Sequence, residues 1–404
     1  MVKVIAPVLA VFAIVMLAAT GSMLGTASTD DVHRPDVLTA HEWGTFTTVA
    51  GVDGKPIDWL PLAGPNDLPC FVEHFGDSRL FKIAPSSVLT YTDAATRLKG
   101  KVRMETPVLY FYSPREENLQ VKVHFEGGLF SEWYPHANVS QMAARENLTD
   151  GAGADMQWNS VRVLPGAESK FPTEGQPSHY YAARQTDASP IQVAGKDEKF
   201  LFYRGLGSFA VPITAEVTPA GKIMVTATGS DPVQTVALFE NRDGKIGYRL
   251  LKRLGTGTVT WDRPQLGSDF ASLQDRLESV LVESGLYPKE AHAMVETWRD
   301  SWFEEGTRIF YILPQSTVDH VLPLTITPAP AHVVRTFVGR MEVIMPDMVR
   351  SVETAIAADD AAALKKYGRF LGPIAGRLAS MPKIQQLVDS TYKSYVSELS
   401  AACK

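Results

Sequence analysis

Between residues 41 and 265 apolar and polar positions alternate with a period of two, which predicts β-strands. The clearest run is Leu119 to Glu126, with Leu119, Val121, Val123 and Phe125 on one face and polar partners on the other. A strand rich in Val, Tyr and Phe precedes it, over Lys101 to Ser113. Two hairpins follow: Ile213 to Val217 with Ile223 to Ala227 about Pro219-Ala220-Gly221, then Thr235 to Glu240 with Lys245 to Leu251 about Asn241-Arg242-Asp243-Gly244. His179 to Arg184 and Glu198 to Arg204 also read as strands, in which Tyr180 shares a face with Arg184, and Phe200 and Phe202 share one with Arg204. A guanidinium over a ring is the expected outcome there. Short strands divided by turns predict antiparallel pairing and a β-sandwich-like domain over 41–265.

The period changes after Gly267. Ser268 or Asp269 can cap a helix to about Ser284, with Phe270, Leu273, Leu277 and Leu281 on one face and Gly285 ending it. Pro288 suits the first position of the next helix, Lys289 to Glu305, whose Ala291, Met294, Val295, Trp298 and Trp302 recur at spacings of three and four as a core stripe. Gly306 stops it. Strands at Thr307 to Leu313, Val321 to Thr327 and Val333 to Ile344 complete an α+β region over 266–345, packed on the sheet. From 346 to 404 the pattern is a helical tail, with helices at about 347–358, 360–371 and 383–400. The fold class is therefore α+β. Gly- and Ala-rich Asp150 to Asp155 is expected to form a mobile loop.

Residues 1–27 follow a different order: Lys3, an apolar run from Val4 to Ala19, then small residues that place Gly25 and Ala27 at the −3 and −1 positions of a cut. This is the order of a secretory signal peptide, and the run falls short of the roughly 20 residues a spanning helix needs. An exported protein, periplasmic or extracellular, with no membrane span in the mature chain is expected. Loss of the leader removes Lys3 and no acid, taking the formal charge from −6 to −7. A mildly acidic chain without a basic block argues against nucleic acid as a partner. In an oxidising compartment the two cysteines, Cys70 and Cys403, are expected to form a disulfide.

Several chemistries are excluded by the motifs. Gly205-Leu206-Gly207-Ser208-Phe209-Ala210 fits a dinucleotide fingerprint in spelling, but Val211-Pro212-Ile213 stands where the phosphate-binding helix must begin. None of the Gly-Lys pairs at Gly54, Gly100, Gly195, Gly221 and Gly244 is followed by Ser or Thr, so there is no P-loop. His-Glu-x-x-His and Gly-x-Ser-x-Gly are absent, as is Cys-x-x-Cys, and the sequence assigns neither a cofactor nor a metal.

Four constellations remain. His41 and Glu42 are strand neighbours whose side chains should leave opposite faces. Glu132, Trp133, Tyr134 and His136 follow the clearest strand, where a carboxylate, two amphipathic rings and an imidazole suit a sugar as well as they suit a locked loop. His292 and Glu296 lie four apart on the second helix and read first as a solvated pair. Glu304 and Glu305 sit at that helix's C-terminus, where the macrodipole disfavours them, so a partner such as Arg308 or a ligand is expected.

His41-Glu42-Trp43-Gly44-Thr45-Phe46, Met104-Glu105-Thr106-Pro107-Val108-Leu109-Tyr110, Thr297 to Gly306, Val338 to Val343 and Lys366 to Leu371 resemble stretches of a family of uncharacterised exported bacterial proteins. The resemblance implies export and gives no residue a role. Two functional readings follow from the residues. In one the chain is a non-catalytic module that binds a ligand or a cell-envelope component, including carbohydrate, through Trp133, Tyr134, His136 and Arg308. In the other it is an exported hydrolase of a carbohydrate or envelope-derived substrate, with carboxylates among Glu42, Glu132, Glu304 and Glu305 supplying an acid/base pair set roughly 5 to 10 Å apart.

Overall fold

The computed structural model describes residues 36–65, 68–76, 91–141, 153–378 and 382–402. The expected signal peptide of 1–27, Cys403 and the start of the expected 150–155 loop lie outside them, and Gly153 already opens a strand.

Strands, in chain order, are β1 (Thr39–Val49), β2 (Glu73–His74), β3 (Val102–Tyr112), β4 (Glu117–Glu126), β5 (Gly128–Tyr134) and β6 (Asn138–Gln141). Next come β7 (Gly153–Val163), β8 (Ile191–Val193), β9 (Lys196–Glu198), β10 (Leu201–Gly207), β11 (Ile213–Val217) and β12 (Ile223–Ala227). The last are β13 (Val233–Arg242), β14 (Lys245–Leu254), β15 (Thr258–Trp261), β16 (Gly306–Ile312), β17 (Leu324–Thr327) and β18 (His332–Glu342). Helices are α1 (Tyr91–Arg97), α2 (Phe270–Glu283), α3 (Pro288–Trp302), α4 (Gln315–Val321), α5 (Pro346–Ala357), α6 (Ala361–Lys365), α7 (Leu371–Ala375) and α8 (Pro382–Ala402).

The fold is α+β. A nine-stranded sheet in the order β14-β13-β16-β18-β1-β3-β10-β5-β2 forms its centre. One face meets the sheet built on β17-β4-β7-β8-β9: Leu119, Val121, Val123 and Phe125 of β4 and Trp158 of β7 pack with Phe46, Phe111, Leu201 and Met341. The alternation legible in β4 is the reason, since its apolar row is buried while Gln120, Lys122 and Glu126 are exposed. On the other face α2 and α3 lay Leu273, Leu277, Leu281, Met294, Trp298 and Trp302 over Trp43, Tyr110, Phe239 and Phe310. Asp269 caps α2 by accepting from the Ser272 amide at 2.9 Å.

Three sequence expectations change. The expected boundary near 265 runs through the sheet, because β16 and β18 stand at its middle, and β18 pairs in parallel with β1. Within 266–345 the strands β16 and β18 are thus part of the sheet while α2 and α3 pack on it, and Arg34–Lys404 forms one unit. His179–Arg184 is a 3₁₀ turn, begun by the Ser178 side chain accepting from the Tyr180 amide. The C-terminal helices pack Phe370 and Ile374 with Trp59 and Leu62 in the larger core. Among the described residues no helix is long and apolar enough to cross a membrane.

Candidate functional site

Beyond the patch covered by α2 and α3, the same sheet face becomes polar. Strand register sets Arg340, Thr47 and Arg103 abreast on β18, β1 and β3, with Val338, Thr45 and Glu105 in the next row. Glu105 reaches this face because β3 carries a bulge at Thr106, whose φ of 45° breaks the alternation between Glu105 and Val108. The belt is closed by ion pairs. Arg103 donates to both Glu132 oxygens at 2.9 and 3.0 Å, and Arg369 of the C-terminal tail pairs with Glu105 at 2.9 Å. Arg340 holds Glu304 at 2.6 Å and lies over the Phe370 ring. Two of its nitrogens, Nε and Nη1, meet no acceptor among the described residues.

Burial alone would raise the pKa of Glu105, but Arg369 and Arg340 outweigh it and hold the carboxyl below its ordinary 4.5. A folded-state pKa below the unfolded value adds stability above that unfolded value, and the contribution fades as pH falls through the folded one. The melting temperature should therefore drop on acidification below pH 4.5. Glu105→Gln should be less stable at neutral pH yet lose less on further acidification; parallel acid limbs in the two proteins would contradict this.

Arg308 differs from its expected role. Its guanidinium is fully buried and pairs with Glu342 at 3.0 Å, not with the Glu304 or Glu305 carboxylates. The remaining N–H groups donate to the carbonyls of Trp302 at 2.7 Å and of Glu304 and Glu305 at 2.8 Å, so Arg308 caps the C-terminus of α3. Gly306 makes this fit possible: at φ 131° a Cβ there would stand 2.5 Å from Glu342 Oε1 and 2.7 Å from Arg308 Nη2. Glu304 is neutralised by Arg340, and Glu305 accepts from the Asp243 amide at 2.9 Å. The conflict with the helix dipole is thus met by protein groups.

The Glu132 constellation is divided by strand alternation. Glu132 joins the belt, whereas Trp133 turns to the opposite face and its Nε1 donates to Glu73 at 2.8 Å. Trp133 and Tyr134 are only 3% and 6% exposed, so neither ring is free to stack on a sugar. His136 is exposed and pairs with Glu73 at 2.9 Å. Glu73 is a residue the sequence pattern does not reveal, because β2 has only two residues.

Other buried acids are also occupied. His41 and Glu42 leave opposite faces, His41 to Glu290 at 2.8 Å and Glu42 to Tyr203 and to Arg335 at 2.6 Å. Glu290 also accepts from Tyr112 at 2.8 Å and from the Tyr287 amide, fastening the start of α3 to the sheet. Glu198 is held by Arg184 and Tyr180, and Arg184 lies 5.4 Å from the Tyr180 ring centre. His292 pairs with Glu278 of α2 at 2.9 Å, while Glu296 accepts from Gln274. Among the described residues no group of three or more His, Cys, Asp or Glu is placed to hold a metal ion. Cys70 is disulfide-bonded, and the Glu174 carboxylate accepts from the Cys70 and Phe71 amides.

The structure also contains a cleft the sequence does not reveal. Its volume is about 770 Å³, and it lies between the 51–60 loop and the helices α7 and α8. Ile57, Trp59, Leu60, Pro373, Ile384 and Val388 supply apolar walls, with Asp58, Lys99, Arg377 and Asp389 as its charged members. The i, i+4, i+8 row of Ile384, Val388 and Tyr392 on α8 is a sequence signal for an apolar face, though not for what it faces. None of Glu132, Trp133, Tyr134, His136, Glu304, Glu305 or Arg308 lines it.

No protein-family model and no curated protein matches this chain.

Proposed function

We propose that the chain is an exported, non-catalytic binding protein that takes an apolar or amphipathic ligand of the cell envelope in the cleft between the 51–60 loop and α7–α8. The observation that carries this reading is the cleft, whose volume of about 770 Å³ falls within the range of about 300 to 1,000 Å³ usual for small-molecule sites and whose walls combine an apolar majority with a few charged groups. The hydrolase reading draws no such support: Glu132 and Glu304 are each paired with a guanidinium, and neither lines the cleft. Carbohydrate is a weaker candidate ligand than an apolar one, because the nominated aromatic rings are covered.

The neutral fluorescent probe N-phenyl-1-naphthylamine should bind saturably at one site per chain. Val52 lines the cleft and is 80% exposed, so Val52→Asp should leave the unfolding free energy within about 0.5 kcal/mol. The same change should weaken probe binding severalfold by adding charge to an apolar wall. Absence of saturable binding, or equal affinity in Val52→Asp, would remove the support for this site.

A further inference from the structure

The charged groups of the cleft are not equivalent. Asp58 and Lys99 are exposed, and Asp389 already accepts from Gln385 at 2.7 Å. Arg377 is half-buried: its Nη2 donates to the Ala50 carbonyl at 2.9 Å, while its Nε is buried and meets no acceptor among the described residues. Among the described residues no carboxylate forms an ion pair with it, and burial draws its pKa down, with Asp53 opposing only from a distance. An ionised guanidinium that lines the cleft beside apolar walls without an ion-pair partner calls for an anionic acceptor, and a carboxylate is the partner its fork fits best.

We infer that the cleft binds a single-chain amphiphile with a carboxylate head, such as a long-chain fatty acid, its head on Arg377 and its hydrocarbon chain against Ile57, Leu60, Ile384 and Val388. This rests on the cleft being the binding site proposed above. Complementarity decides the class: the apolar walls select the chain, and Arg377 selects the sign of the head. An alkylammonium would place a second cation beside Arg377, and an alcohol would leave the guanidinium without a counter-charge.

Displacement of N-phenyl-1-naphthylamine by dodecanoate, dodecanol and dodecyltrimethylammonium tests both statements separately. Dodecanoate should bind at least tenfold more tightly than either of the others. Arg377→Gln should abolish that preference by weakening dodecanoate, Arg377→Lys should restore part of it, and Lys252→Gln, exposed and outside the cleft, should leave it intact. Equal binding of the three compounds to the native protein, with the probe still saturable, would overturn the carboxylate inference and spare the site. Retention of the full dodecanoate preference in a folded Arg377→Gln protein would do the same. Failure of the probe and all three compounds to bind would overturn both.

Discussion

Arg308→Met should cost about 3 to 5 kcal/mol of unfolding free energy, the range for breaking a buried ion pair by removing one partner. Arg308 is fully buried, and its loss leaves Glu342 with Arg340 as the nearest cation, at 3.6 Å. The carbonyls of Trp302, Glu304 and Glu305 lose their donor in the same step. Because a domain is stable by only about 5 to 15 kcal/mol, the variant should unfold at markedly lower denaturant, a shift readable from a urea titration. Adding Glu342→Leu should recover only part of the loss. That second change removes the orphaned carboxylate but does nothing for the three carbonyls at the end of α3, each costing about 1 to 3 kcal/mol when left unsatisfied. A double variant as stable as the native protein would show that capping contributes little and that the ion pair alone explains Arg308.

The sequence placed Arg308 near the right residues for the wrong reason. Charge proximity along the chain suggested that it pairs with the Glu304 or Glu305 side chain. Instead the turn at Gly306 brings it under the helix end, where it binds their carbonyls while strand pairing aligns it with Glu342. Local patterns were legible wherever the residue's own neighbours decide the outcome. The stripe on α3 is buried from Ala291 to Trp302, and β11 with β12 forms the expected hairpin. Strand neighbours far apart in sequence were not legible. Period-two alternation says which side chains share a face, but nothing in β1 announces that β18, almost 300 residues later, will lie beside it in parallel. The polar belt depends on that pairing, since Thr47 and Arg340 become neighbours only through it, and the cleft depends likewise on a loop near residue 50 meeting the last helix.

Glu42 and Arg335 should behave differently from Arg308, because no helix end depends on them. Glu42 is fully buried on the sandwich side of β1, held by Arg335 and by the Tyr203 hydroxyl, and Tyr203 in turn packs against Trp158 of the facing sheet. Removing one charge, as in Glu42→Leu, should cost about 3 to 5 kcal/mol, since Arg335 is then left in the core with only the half-exposed Asp319 as counter-charge. Removing all the polar partners together should not. In Glu42→Leu/Arg335→Met/Tyr203→Phe every group that needed the network is gone, while Asp319, 51% exposed, returns to water at little expense. Replacing buried ion pairs by apolar side chains of similar volume is often neutral or stabilising by about 1 to 4 kcal/mol, so the triple variant should match or exceed the native protein. A denaturant series over the single, double and triple variants gives the coupling directly. If the triple variant stays as unstable as Glu42→Leu, the cost lies in repacking the space between the sheets and not in the stranded charge.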